Sequence, residues 1–157
     1  MERDLTISGF KVIAHKWVHD VERTFDYSEH VEQVKILLEH QQAKQKPLLI
    51  VVYGVTGCGK TMLARVLAEN GNNAEYVNCL AISPLQRSND FSNMLTNVNT
   101  TYLLDEPDCL SSSIWVSVDT HVSKGGICIV FLQDRQGWQG QSECKYLNLM
   151  RNGFSWH

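Results

Sequence analysis

Residues 53–61 read YGVTGCGKT, entered from the apolar run LLIVV at 48–52 and followed by MLARVLAEN at 62–70. Three glycines, a lysine and a threonine between two apolar segments imply that the backbone there must closely approach something. Gly54 to Thr61 fits G-x-x-x-x-G-K-[ST], in which small residues let main-chain N–H groups and the positive end of the next helix surround an oligophosphate. On that reading Gly54, Val55, Thr56, Gly57, Cys58, Gly59, Lys60, Thr61 and Met62 form the binding loop. Lys60 then reaches the β and γ oxygens of a nucleoside triphosphate, and the Thr61 hydroxyl ligates magnesium. A predicted strand before the loop and a predicted helix after it supply the context the pattern requires.

Working outward, 48–53 is rich in branched residues and predicts a central parallel strand buried on both faces. The helix over 60–70 turns Met62, Leu63, Val66 and Leu67 inward, with Gly71 placed to end it. AEYVNCL from Ala74 predicts a second strand. Ser83-Pro84 supplies a cap and a first-turn proline, and Phe91, Met94, Leu95 and Val98 follow at helical spacing. TTYLLDEPD predicts a third strand ending in acids, SSSIWVSVDTHV a capped helix with Ile114, Trp115, Val118 and Val122 inward, and ICIVFLQ a fourth strand. CKYLNLM predicts a helix leading into a last short strand near GFSWH. Upstream, Ser28 caps an amphipathic helix carrying Val31, Val34, Leu37 and Leu38 on one face and ending before Pro47. Residues 1–27 form an N-terminal segment of uncertain structure, in which FKVIAHKW fits a strand or a helix. Alternating strands and helices over 28–157 predict one α/β domain, a three-layer αβα sandwich around a five-stranded parallel sheet.

The chain has 157 residues, a formal net charge of −3 and 20% charged residues, which describes an ordinary globular domain without a broad basic field for nucleic acid. Its apolar runs fall far short of the roughly 20 residues that span a bilayer, so no membrane association and a cytoplasmic location are expected. Cys58, Cys79, Cys109, Cys128 and Cys144 show neither disulfide nor zinc spacing and read as reduced thiols. Trp138, in the loop between Gly137 and Gly140, is the aromatic residue expected to contact a partner.

A triphosphate site also needs a metal anchor and, for hydrolysis, a base. YLLDEPD at 102–108 offers both: Asp105 at the strand end for the magnesium shell, and Glu106 beside it to polarise water. In order and placement, GVTGCGKTMLAR, YVNC and LLDEPD resemble the Walker A, second-strand and Walker B segments of AAA+ ATPases, and in particular the ATPase domain of bacterial enhancer-binding transcription activators. The similarity covers about 105 residues, 28–132, and only Walker A is highly specific. It implies a strand order of 5-1-4-3-2, Mg-ATP as the bound species, and homo-oligomeric assembly through the nucleotide face. It further implies that Asn78 restrains Glu106, that Gln133 is the sensor after the fourth strand, and that Arg151, with Arg135 behind it, is the arginine finger acting in trans.

The departures are as informative. The polymerase-engaging sequence G-A-F-T-G-A does not occur between Cys79 and Tyr102, and a helical lid with a second sensor arginine is not expected beyond the fifth strand. Three function classes follow. The first is an ATPase module acting on or regulating a protein or nucleic-acid partner, in transcription or DNA transactions. The second is a degenerate nucleotide-binding switch with little hydrolysis. The third, a small-molecule P-loop kinase, is disfavoured by the Asp105-Glu106 pair, whose activated water would compete with a substrate hydroxyl.

Overall fold

The computed structural model describes residues 2–8, 11–18, 21–26, 32, 47–55, 59–70, 73–150 and 153–156. The helix expected from Ser28, with its inward Val31, Val34, Leu37 and Leu38, lies outside the described residues except at Glu32, which is helical. An antiparallel three-stranded sheet is formed by β1 (Glu2–Ser8), β2 (Lys11–Val18) and β3 (Val21–Asp26), with β2 in the middle. Of FKVIAHKW, which fits a strand or a helix by sequence, Lys11 to Trp17 lie in β2, and Phe10 is outside the described residues.

The second sheet carries the site. Its strands are β4 (Leu48–Tyr53), β5 (Ala74–Asn78), β6 (Thr101–Asp105), β7 (Ile127–Leu132), β8 (Lys145–Met150) and β9 (Gly153–Trp156), ordered β5-β6-β7-β4-β8-β9. The first five in that order are parallel, and β9 is antiparallel to β8. Counted from β4, the parallel strands run 2-3-4-1-5, the expected order. Strand alternation divides the core: Leu48, Ile50 and Val52 join one buried cluster, and Leu49 and Val51 the other. Helix α1 (Lys60–Asn70) covers the first cluster with Met62, Leu63, Val66 and Leu67, and α2 (Ser113–Ser123) the second with Ile114, Trp115, Val118 and Val122. At about 1.5–3 kcal/mol per buried side chain, either quartet outweighs intrinsic helix preferences of under about 1 kcal/mol per residue.

Two expected elements are different. CKYLNLM is not helical: residues 145–150 are β8, the fifth parallel strand, and GFSW is its antiparallel partner. Leu147 and Leu149 are both buried while Lys145 is exposed and Tyr146 and Asn148 are half-buried, a two-residue period that a helix cannot use. Nor does the spacing of Phe91, Met94, Leu95 and Val98 produce a helix, since residues 83–100 hold one short 3-10 turn and otherwise bends. There, side chains capture the main chain. Asp90 accepts from the Ser92 N–H at 2.9 Å, Asn97 from the Asn99 N–H at 3.0 Å, and Ser113 and Ser117 accept from the N–H groups of Phe91 and Leu95 at 2.8 and 2.9 Å. Phe91, Met94 and Leu95 still anchor the segment on the α2-side core.

The loop between β7 and β8 is pinned from α2. Asp119 accepts from the N–H groups of Gln141 and Ser142, both at 2.9 Å, and from the Ser142 hydroxyl at 2.6 Å. Trp138, the aromatic residue expected to contact a partner, is half-buried, with its ring edge-on to Trp115 at 5.2 Å and packed on the α2-side core. At the end of α2, His121 is buried with Nε2 3.0 Å from the Ile127 carbonyl oxygen, and burial holds its pKa below the usual histidine value. Gly126 lies directly against this ring, and an added Cβ would overlap it. Gly126→Ala is therefore expected to destabilise the fold by about 1–3 kcal/mol, as overpacking does, measured by chemical denaturation. Unchanged stability would show that the ring has room to move.

Candidate functional site

The site forms where β4, β6 and β7 end together. Tyr53 pairs with Leu132 and Asp105 with Phe131, so the segments leaving β4 and β6 start at one level on either side of β7. Two main-chain bonds extend that level past the strands. Gly54 donates its N–H to the Leu132 carbonyl at 3.1 Å, and Glu106 donates to the Phe131 carbonyl at 3.0 Å. The glycine loop and the acidic turn are thus fastened to consecutive carbonyls of one strand.

In the loop, Gly59 has φ 102°, a conformation only glycine adopts without strain. Its carbonyl accepts the Leu63 N–H at 3.0 Å and so opens α1. The first-turn N–H groups of α1 have no intrahelical acceptors, and the helix dipole adds positive potential there. Lys60 is buried and donates from Nζ to the Gly54 carbonyl and, at 3.3 Å, to that of Val55. Val55 itself is 67% exposed. Met62 sends its side chain into the α1-side core, leaving its main chain as what it offers the loop. Thr56, Gly57 and Cys58 lie outside the described residues.

Beside the loop, Asp105 is buried at 3% exposure. Its Oδ2 accepts two hydrogen bonds, from the Thr61 hydroxyl at 2.8 Å and the Tyr76 hydroxyl at 2.7 Å. Oδ1 is buried and finds no hydrogen-bond partner among the described residues. A buried, unsatisfied carboxylate oxygen is costly and calls for a partner. A hydroxyl and a carboxylate are the hard oxygen donors that magnesium takes, and magnesium in phosphate sites uses only one or two protein ligands. Thr61 and Asp105 therefore fit that ion. Among the described residues no group of three or more His, Cys, Asp or Glu side chains could hold a metal by itself.

Glu106 is half-buried and has φ 55° and ψ 49°, a left-handed conformation unusual for a side-chain-bearing residue and here followed by Pro107. Burial, then the charge of Asp108, raise its pKa above the usual carboxylate range; Lys60 opposes this and Asp105 adds to it. Such a carboxyl binds a proton more readily than an ordinary one. Asn78 ends β5 in register with Asp105, one residue from Glu106, with its side chain exposed. Gln133 stands exposed one residue beyond the carbonyl that holds Gly54. Arg135 lies with Cζ 3.9 Å from the ring centre of Tyr146 on its own chain. Arg151 is outside the described residues.

The structure thus brings Gly54, Lys60, Thr61, Asp105 and Glu106 together, with Asn78 and Gln133 at the margin. Tyr76 is the site residue that sequence reasoning missed. The available signal was its position two before Asn78: strand alternation puts it on the same sheet face as Asp105, the face α1 covers.

No protein-family model matches the chain, and no curated protein matches it. Among solved structures it is similar to the P-loop NTPase domain of the sigma-54 transport activator from E. coli, with 19% identity and a TM-score of 0.40, covering 67% of this chain and 78% of that one. It is also similar to the Thermotoga maritima RuvB Holliday junction branch migration motor, with 18% identity and a TM-score of 0.45, covering 72% of this chain but 40% of that one. These are likenesses of fold; the site is defined by the geometry above.

The backbone at Glu106 has a measurable consequence. A left-handed residue other than glycine costs roughly 1–2 kcal/mol, so Glu106→Gly is expected to be more stable than Glu106→Ala by about 1 kcal/mol, the reverse of the usual order. Urea denaturation of the two variants tests this, and an alanine variant equal to or above the glycine variant contradicts the strain.

Proposed function

We propose that the chain is a Mg-ATP-binding, AAA+-like ATPase module that assembles through its nucleotide face and acts on or regulates a macromolecular partner. The observation that carries this reading is the Thr61–Asp105 pair, whose buried Oδ1 finds no hydrogen-bond partner among the described residues, set beside Lys60 and the start of α1. Loop amides and the α1 start bind the phosphates, and Lys60 exchanges loop carbonyls for phosphate oxygens. Thr61 and Asp105 would hold a magnesium ion, which when bound would supply neutralisation of charge developing on the phosphates. Glu106 takes a proton from the water that attacks the γ-phosphorus, and ADP leaves as the β–γ bridge breaks. Asn78, one residue from Glu106 across the strand pair, restrains it, and Gln133 orients the water. ATP rather than GTP rests on the family resemblance, as does assembly.

A second reading, a switch that retains ATP, is favoured by one observation. Arg135, one of the two finger candidates, is stacked on its own Tyr146 rather than free to reach a neighbouring subunit. Single-turnover assays separate the two readings: prompt ADP formation supports hydrolysis, and intact ATP after hours supports the switch.

Titration calorimetry with Mg-ATP is expected to show binding that weakens at least tenfold in Lys60→Ala. Glu106→Gln is expected to keep binding and lose turnover by roughly 10²-fold or more. Equal binding by the wild type and Lys60→Ala would overturn the nucleotide reading, and specific activity that stays flat with protein concentration would remove assembly.

The pH dependence carries a sign. Glu106 must be ionised to act as base, so turnover rises with pH along an acid limb above the ordinary glutamate value of 4.5. Asp108→Asn removes a charge that raises the Glu106 pKa, and the limb is expected to move to lower pH. A pH–rate profile unmoved by that change would exclude Glu106 as the titrating group.

A further inference from the structure

We propose that Tyr76 is a positioning residue for the divalent cation that accompanies the nucleotide, fixing which oxygen of Asp105 is offered to it. This rests on the nucleotide reading above. Tyr76 sits on β5, an outer strand of the sheet, in register with Leu103, while Asp105 follows Leu103 by two residues on the neighbouring strand. Alternation places all three on the α1-covered face, where Thr61 lies in the first turn of the helix.

A carboxylate turns easily about its last side-chain bond, so an aspartate held by one donor can present either oxygen. Asp105 is held by two donors, and both fall on Oδ2: the Thr61 hydroxyl from the start of α1 at 2.8 Å and the Tyr76 hydroxyl from the outer strand at 2.7 Å. Rotation would break both bonds to the charged group. Oδ1 is left buried and without a hydrogen-bond partner among the described residues, as the oxygen available to a cation shell. Thr61 has a second task in this arrangement, because its oxygen is itself a cation ligand. Tyr76 is not a cation ligand in this arrangement, so its hydroxyl holds the carboxylate whether or not the cation is present. Its ring also packs against the α1-side core, a role phenylalanine would preserve.

The test is Mn²⁺ titration of ATP-loaded protein followed by electron paramagnetic resonance, with nucleotide affinity measured separately in EDTA. Tyr76→Phe is expected to weaken Mn²⁺ binding about tenfold or more, as loss of a partner to a metal ligand does, with cation-free nucleotide affinity unchanged. Tyr76→Leu, a second variant without a donor, shows the same loss. Tyr102→Phe is the control: that hydroxyl, on β6, accepts the Asn97 N–H at 3.2 Å away from the loop, and its removal leaves Mn²⁺ affinity as in the wild type. A Tyr76→Phe isotherm coincident with wild type, or an equal shift in Tyr102→Phe, overturns the role of Tyr76 while leaving the nucleotide site standing. A wild type that binds neither ATP nor ATP-dependent Mn²⁺ overturns both.

Discussion

The last two carbonyls of β7 join the parts of this site. Leu132 takes the N–H of the first loop glycine and Phe131 takes that of Glu106, so one strand end sets the separation of the glycine loop from the acidic turn. Because β7 alone lies between β4 and β6, those strands are about 10 Å apart, two steps of the usual sheet spacing. A further strand between them would carry the acids away from the loop. The order of β4, β6 and β7 is therefore the constraint on which the chemistry depends, and the α1-side and α2-side cores hold that order from both faces.

On this base, neighbouring carboxylates acquire different surroundings. Asp105 ends a buried strand and receives two hydroxyl donors on one oxygen. Glu106 leaves the strand in a left-handed turn that redirects the chain before Pro107, and its half-buried carboxyl beside Asp108 binds a proton more readily than an ordinary one. The backbone reversal between them separates two acids that adjacency in sequence would otherwise leave equivalent. Strain of this kind persists where the surroundings over-determine it, and here the Glu106 N–H is held by β7 while the Cys109 N–H returns to the Glu106 carbonyl at 3.3 Å.

Much of the fold was legible because each central element carries its own period. Residues 48–53 and 127–132 are unbroken apolar runs, and 60–70 and 113–123 repeat every three to four residues; all four form the elements those patterns indicate. The misreadings came where a pattern had another cause. Phe91, Met94 and Leu95 are spaced as on a helix, yet they anchor a chain of turns whose amides are captured by Asp90, Asn97, Ser113 and Ser117. KYLNLM combines good helix formers with a two-residue burial period, and the vacant edge of β4 decided in favour of strand.

By itself the sequence determined the loop, the strand before it, the helix after it and the acids at the end of a later strand, because each is written in contiguous residues with local conformational preferences. Tertiary structure alone decided that the tyrosine of EYVNC would bond Asp105, that Glu106 would adopt a left-handed backbone, and that Arg135 would lie over Tyr146. The bonds to Asp105 join residues 44 and 29 positions apart. Contacts over such distances exist only once strands from separate parts of the chain lie side by side, and their order minimises the free energy of the whole sheet, not of any one segment.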